Sequence, residues 1–277
     1  MGREEFIELY CEKVLSKKKH KTLLFDVYPF SANITDDGIF PYLSWHTLKA
    51  TEDFARFAKK YDATMKTFIQ TTAYSNGEKR KLESAADVRF QIGYNMAYGS
   101  KGFDCFTYLT KIDSGFGEAM VGRDGTKYPT YYYVQEAFHE MFDWEHVYLS
   151  FDWEGVMTFP GTATGYGTAG ADHFSQLLYS LDSHERIKSV ERERDLLVGT
   201  FKDKEGYDGF LFTTYADPYY RKSNDNSVEF NHTSKALVYL NGQLITNDDN
   251  DSCYLIEDGK FDWTLEAGDI LFVIPVK

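Results

Sequence analysis

The first half of the chain alternates helical and strand periodicities. Phe6, Tyr10 and Val14 fall on one face of a predicted N-terminal helix. Lys21 to Phe30 (KTLLFDVYPF) is a compact apolar run that turns polar and aromatic at its end, which predicts a buried strand and then a loop. A second helix is predicted from about Ser44 to Tyr61, with Leu48, Thr51, Ala55 and Ala58 on its apolar face and Ser44 as N-cap. Met65 to Thr72 (MKTFIQTT) reads as the next strand. The third helix, about Ser84 to Tyr98, places Val88, Ile92 and Met96 in register and stops at Gly99. Gly102 to Thr110 (GFDCFTYLT) is a third strand run, and Val134, Phe138 and Met141 mark a fourth helix from about Thr130 to Trp144. Helix and strand in alternation predict a parallel α/β arrangement.

From about Val147 short alternating runs take over: Gly155 to Phe159, Asp195 to Phe201, Gly209 to Tyr215, Ser227 to Phe230, Ala236 to Leu240, Ser252 to Ile256 and Ile270 to Val276. Asn241-Gly242, between Ala236–Leu240 and Gln243-Leu244-Ile245, is a hairpin signal. This half is expected to be antiparallel. Gly161 to Ala171 (GTATGYGTAGA) is poor in large apolar residues and reads as a loop. It is not expected to cradle phosphate, because no strand leads into it with a helix and a lysine following. The expected divisions are residues 1–146, a linker at 147–190, and an antiparallel β-sandwich at 191–277.

Composition narrows the function. Of 277 residues, 43% are hydrophobic and 26% charged, the profile of a folded globular chain. Aromatic residues make up 17%, with 21 Tyr and 22 Phe, more than a core hides, so some should line a surface or cleft. The net charge of −13 argues against nucleic acid or an anionic membrane as partner. The one basic run, Lys17-Lys18-Lys19-His20-Lys21, lies between a helix and a strand and reads as a solvated turn. Cys11, Cys105 and Cys253 are odd in number and have no metal-ligand spacing, so reduced thiols are expected. The N-terminus has no secretory h-region, and no apolar run is long enough to span a bilayer. A cytoplasmic location follows if Met1 is the true start.

Four stretches together resemble one family. Asp26-Val27-Tyr28-Pro29-Phe30 is similar to a "D-x-Y-P" strand end, and Phe68-Ile69-Gln70-Thr71 to the strand that follows it. Arg89 to Gly102 (RFQIGYNMAYGSKG) is similar to an "LRxQ...NLAYGAxG" helix, and Phe106-Thr107-Tyr108 to a "YFTY" strand. These occur in β-galactosidase-like barrel glycoside hydrolases, the clan with families 35 and 42, and the resemblance covers roughly residues 5 to 145. More loosely, Leu196 to Phe201 through Thr264 to Asp269 resembles the small β-sandwich that ends many such enzymes. The resemblance implies an α/β plus all-β protein: strands six, seven and eight of a (β/α)8 barrel, about three βα units, followed by an antiparallel β-sandwich. A whole barrel takes about 250 residues, so a fragment is expected, lacking the N-terminal half of the barrel and self-associating through exposed sheet edges.

Barrel chemistry sits at the C-terminal ends of strands, and glycoside hydrolysis uses two carboxylates there. After the first run stand Asp26 and Tyr28, after the second Gln70 and Tyr74, and after the third Tyr108, then Asp113 and Glu118. Asp26 is the candidate catalytic acid, expected to be buried. Tyr28, Gln70, Tyr74 and Tyr108 are the candidate contacts for an oligosaccharide or glycoside, with Asp26, Tyr28, Gln70 and Tyr108 expected to converge on one face. In the resembled clan the acid/base follows strand four, which this chain lacks, and the nucleophilic Glu follows strand seven. Here that strand ends in Gln70, an amide that is neither nucleophile nor titratable. A non-catalytic carbohydrate-binding protein or a scaffold is therefore the alternative to a hydrolase. Trp45 is read as a surface staple, with a sugar platform as the alternative, and Arg89 and Gln91 as structural ties away from any strand end. The seven histidines show no ligand spacing, so no metal or cofactor is predicted. Asp248, Asp249 and Asp251, around Asn247 and Asn250, lack the EF-hand order and read as a solvated hairpin tip.

Overall fold

The computed structural model describes residues 1–36, 38–74, 79–112, 115–162, 173–247 and 253–276, with the side chains of 34, 35, 38 and 39 left out. Asp113, the stretch 163–171 and residues 248–251 lie outside the described residues. The chain is mixed α/β and rich in sheet. Its first half contains α1 (Arg3–Lys13), β1 (Thr22–Asp26), a hairpin of β2 (Phe30–Thr35) and β3 (Gly38–Leu43), α2 (His46–Lys60), β4 (Thr64–Gln70), α3 (Ala85–Ala97), β5 (Phe103–Phe106) and α4 (Pro129–Leu149). Strands β1, β4 and β5 form one parallel sheet in that order, with Asp26 opposite Phe68 and Gln70 opposite Phe106.

Alternation along these strands decides which face is covered. Leu23, Phe25, Met65 and Ile69 are buried on one face, where Phe25 stacks on Phe54 of α2 with ring centroids 4.5 Å apart. The other face carries Leu24, Asp26 and Asp104, all exposed. Helices α1 and α4 also leave apolar residues in solvent: Phe6, Leu9 and Tyr10 on α1 with Val14 at its C-cap, and Tyr132, Phe142 and Leu149 on α4. The helical face expected from Phe6, Tyr10 and Val14 is thus the solvent face. Ile7 and Cys11 are the residues α1 buries, with Leu15 just beyond its end. In α2 the N-cap position falls on Trp45 rather than Ser44.

The second half contains β6 (Phe151–Phe159), β7 (Ile187–Arg192), β8 (Leu196–Asp203), β9 (Asp208–Thr214), β10 (Asn224–Phe230), β11 (Lys235–Leu240), β12 (Gln243–Ile245), β13 (Tyr254–Leu255), β14 (Lys260–Leu265) and β15 (Leu271–Val276). One antiparallel sheet runs β12-β11-β15-β9-β8-β6, with β13 on β11, and a smaller one runs β14-β10-β7. Val198, Phe210, Phe212 and Val273 of the first share a core with Val228, Phe261 and Leu265 of the second. The segment 147–190, expected as a linker, contains β6, which pairs along β8 from Phe159↔Leu196 to Phe151↔Asp203. Its apolar residues Phe151, Val156 and Met157 are buried, which holds it in the sheet.

The two halves share one core. Helix α3 lies against β4 on one side and β8 and β9 on the other, and all but Ala86 and Arg89 of its 13 residues are buried. Close approach depends on glycine: a Cβ at Gly199 would lie 2.5 Å from the Ala97 carbonyl oxygen. Below α4, Phe272 meets Trp144, Phe151 and Phe201 at ring distances of 5.5, 5.3 and 5.8 Å. Lys101 joins the same seam. Its ammonium donates to the carbonyls of Tyr148 (3.2 Å) and Phe151 (2.7 Å), where α4 ends and β6 begins, and burial lowers its pKa to about 8. Among the described residues no helix is long and apolar enough to cross a membrane.

Candidate functional site

Parallel strands of one sheet end on one side, so the residues that close β1, β4 and β5 are placed together by topology. The structure brings Tyr28, Tyr74 and Gln70 to this end, but with different roles. Tyr28, just past β1, is buried; its ring stacks on Phe106 at 5.6 Å, and Phe106 meets Phe116 at 5.7 Å. Tyr74 continues the cluster, edge-on to Phe116 at 5.2 Å. Lys111 lies over both phenylalanines, 4.6 and 4.2 Å from the Phe106 and Phe116 centroids. The result is an aromatic floor with a cation above it.

Asp26 closes β1 on the uncovered face and is exposed, not buried as expected, because that side of β1 is left open among the described residues. Its carboxylate stands near the Tyr28 hydroxyl. Burial first, and then the Asp26 charge, push the Tyr28 phenol well above its ordinary range. That hydroxyl is buried, and the Asp26 carboxylate is the acceptor that faces it. Gln70 is fully buried, and its amide NH2 donates to the Arg80 carbonyl at 2.8 Å while its Oε1 has no partner. Tyr28 Oη and Gln70 Oε1 thus lie buried at the ends of adjacent strands, and Gln70 Oε1 has no hydrogen-bond partner among the described residues.

Gln91 does what its distance in sequence concealed. Its Oε1 accepts from the Gln70 backbone N–H (2.7 Å) and its Nε2 donates to the Gln70 carbonyl (3.1 Å), so α3 clamps the end of β4. It is structural, as expected, but at a strand end rather than away from one. Arg80 supports the same region. It is buried between Asp87 (2.6 Å) and Asp217 (2.5 Å) and stacks on Phe30, tying the loop after β4 to the antiparallel half. Arg89 pairs with Glu140 at 3.1 Å.

Tyr108 stands apart. It is 53% exposed, its carbonyl accepts from the Val121 N–H, and its ring meets none of the rings in the cluster. Glu118 is an exposed partner of Lys81 at 3.1 Å. Phe106, Phe116 and Lys111 were not singled out in the sequence as site residues. Only Phe106, inside the strand motif, carried a signal there.

Elsewhere, Glu154, His184 and Asp208 bring ligand-type atoms within 4.8 Å of one another. Cations already occupy the group: Arg186 and Lys202 lie 3.2 and 3.3 Å from Asp208, and His184 Nδ1 accepts from the Arg186 N–H. That arrangement suits an ion-pair network better than a metal.

No family model and no curated protein matches the chain. Among solved structures it is similar to a GH30 endoxylanase from Clostridium papyrosolvens C71, with a TM-score of 0.36 and 7% identity over 100% of this chain and 61% of that one. It is also similar to a glycoside hydrolase family 30 subfamily 8 xylanase from Clostridium acetobutylicum, with a TM-score of 0.30 and 10% identity over 98% and 59%. The chain spans about three fifths of the length of these enzymes. TM-scores this low leave function to the chemistry of the site.

Proposed function

We propose that this chain is the C-terminal part of a carbohydrate-active barrel protein, with a neutral β-linked glycan seated at the ends of β1, β4 and β5. The observation that carries this is the exposed Asp26 carboxylate at the end of β1, beside the Tyr28 hydroxyl and the aromatic floor of Tyr28, Phe106 and Phe116. A carboxylate accepts from sugar hydroxyls, and an aromatic ring covers the apolar CH face of a pyranose. The motif resemblance to β-galactosidase-like hydrolases makes β-galactosides the first ligands to try.

Hydrolysis needs a second carboxylate. Gln70 cannot serve, so in this reading the acid/base pair is completed by strands that close the sheet, and the chain by itself binds without turnover. The exposed Leu24 face and the apolar residues in solvent on α1 and α4 support such a closure, and self-association through the edges of β1 and β5 is the expected behaviour without it. A purely binding role is the second reading, favoured by the amide at Gln70.

Calorimetric titration of the chain with β-1,4-galactobiose tests the site. Binding that falls at least tenfold in both Asp26→Asn and Tyr28→Phe supports it, and no binding at millimolar sugar refutes it. Turnover of nitrophenyl β-galactoside by a clean monomer, abolished by Asp26→Asn, would instead make Asp26 a catalyst and remove the need for further strands.

A further inference from the structure

The β2-β3 hairpin directly follows the strand end that holds Asp26 and Tyr28, and its two sides differ sharply. Pro41 and Leu43 point inward and are buried, while Phe40 and Tyr42 alternate with them and are 38% and 42% exposed. Two residues along a strand span about 7 Å, on the scale of one sugar unit. The cross-strand partners on the same side are polar and uncharged: Asn33 lies opposite Phe40, and Ser31 opposite Tyr42. Asn33 is exposed, and no hydrogen bond of its side-chain amide is found among the described residues. Trp45, two residues beyond the hairpin, is 51% exposed.

We infer that the outer side of this hairpin, with Phe40 and Tyr42 as ring platforms and Asn33 as hydrogen-bonding group, is an extended subsite for the distal units of a neutral oligosaccharide whose inner end occupies the strand-end site. The inference rests on the function proposed above. Three features select this occupant. An aromatic face matches the apolar CH face of a sugar, and an adjacent free amide matches its hydroxyls, a pairing that a purely apolar partner would waste. Charge is the second: Phe40, Tyr42 and Asn33 carry none, the nearby Lys79 ammonium is engaged with buried Ser31 and the Tyr28 carbonyl, and a chain of net charge −13 disfavours an acidic polysaccharide.

Continuity is the third. Lys79 Nζ donates both to the Tyr28 carbonyl (2.9 Å) and to Ser31 Oγ (3.1 Å), so one side chain ties the hairpin to the strand end. On its other side the hairpin is held by the Tyr220 hydroxyl, which donates to the Pro41 carbonyl at 2.8 Å. The platform is thereby fixed against both halves, and a glycan crossing it would not have to order a free loop.

The test compares short and long ligands on the intact chain. β-1,4-Galactobiose and β-1,4-galactohexaose are titrated into wild type and into Phe40→Ala/Tyr42→Ala, with Phe40→Leu/Tyr42→Leu as a variant that keeps apolar bulk without a ring face. Asn33→Ala and Trp45→Ala follow singly. The expected result is hexaose affinity reduced at least tenfold in both double variants, with biose affinity unchanged. Unchanged hexaose affinity overturns the subsite and leaves the strand-end site standing, whereas wild type that binds neither sugar overturns both. Self-association that the double variants abolish, with hexaose affinity intact, would assign the surface to a second copy and overturn the inference.

Discussion

Replacing Phe272 with alanine asks whether the two halves of the chain are energetically separate. The ring is fully buried in β15, and its neighbours come from both sides of the seam: Trp144 and Tyr148 of α4, Phe151 of β6 and Phe201 of β8. Truncating a buried Phe removes its transfer free energy and leaves a cavity, about 3–5 kcal/mol together. The rings around this one are themselves locked in edge contacts, and Gly209 admits the tip of Phe272 where a Cβ would lie 2.6 Å from it. Little collapse is available, which favours the upper part of that range. For a chain of this size the loss corresponds to a fall in Tm on the order of 10 °C. Urea unfolding followed in parallel by far-UV circular dichroism and tryptophan fluorescence would measure it, with calorimetry as a check. Because α4 and the large sheet share the ring, one coincident transition should move in both signals. A loss below about 1 kcal/mol, or a shift confined to a separate transition of the antiparallel sheets, would refute the shared core.

Arg80→Met should destabilise by about 3–5 kcal/mol in chemical denaturation, since it strands the buried carboxylates of Asp87 and Asp217, and adding Asp217→Asn should recover part of the loss. Lys101 titrates near pH 8 when folded and near its ordinary 10.5 when unfolded. Between those values the unfolded chain holds the extra proton, so the stability of wild type should rise with pH over that window by up to about 3 kcal/mol relative to Lys101→Met. A flat difference curve from pH 8 to 10.5 would contradict the assignment. Asp195 behaves in the opposite sense. Burial raises its carboxyl to about 6, so wild type should lose stability relative to Asp195→Asn as pH rises from about 4 to 6, as read by thermal melts across that range. Gly242→Ala should cost more than about 1 kcal/mol, because φ is +88° and the new Cβ would lie 2.1 Å from the Glu140 carbonyl oxygen.

The parallel half was legible where a run was apolar on both strand faces or a helix carried one clear stripe. Val88, Ile92 and Met96 mark α3 within a residue of its ends, and Asn241-Gly242 marks the β11-β12 turn, with φ of 47° and 88°. Helix α1 was misread because it has two apolar stripes, and nothing in the sequence says which one faces the sheet. The β2-β3 hairpin went unseen because Pro41 argues against a strand, an objection that fails in a two-stranded ribbon where one side of each strand has no partner. Strand β7 has a single fully buried apolar residue, Val190, too little for periodicity to register. The placement of Asp26, Tyr28, Gln70 and Tyr74 at or just past strand ends followed from their positions after apolar runs. The Gln91 clamp and the Arg80 hub did not, since the first depends on the crossover between β4 and β5 and the second on Asp217 of the antiparallel half.

Helix α3, held between the parallel sheet and the large antiparallel sheet, also sets the order in which the molecule can come apart. Solvent reaches its amides only when a packed neighbour, either sheet or α4, leaves first, whereas α1, with one stripe already wet, can open locally. Slowest exchange therefore belongs to the middle of α3, and brief excursions of the periphery can occur without disturbing it. Residues anchored to that helix, Gln70 through Gln91 foremost, are held in place even while α1 opens at the periphery.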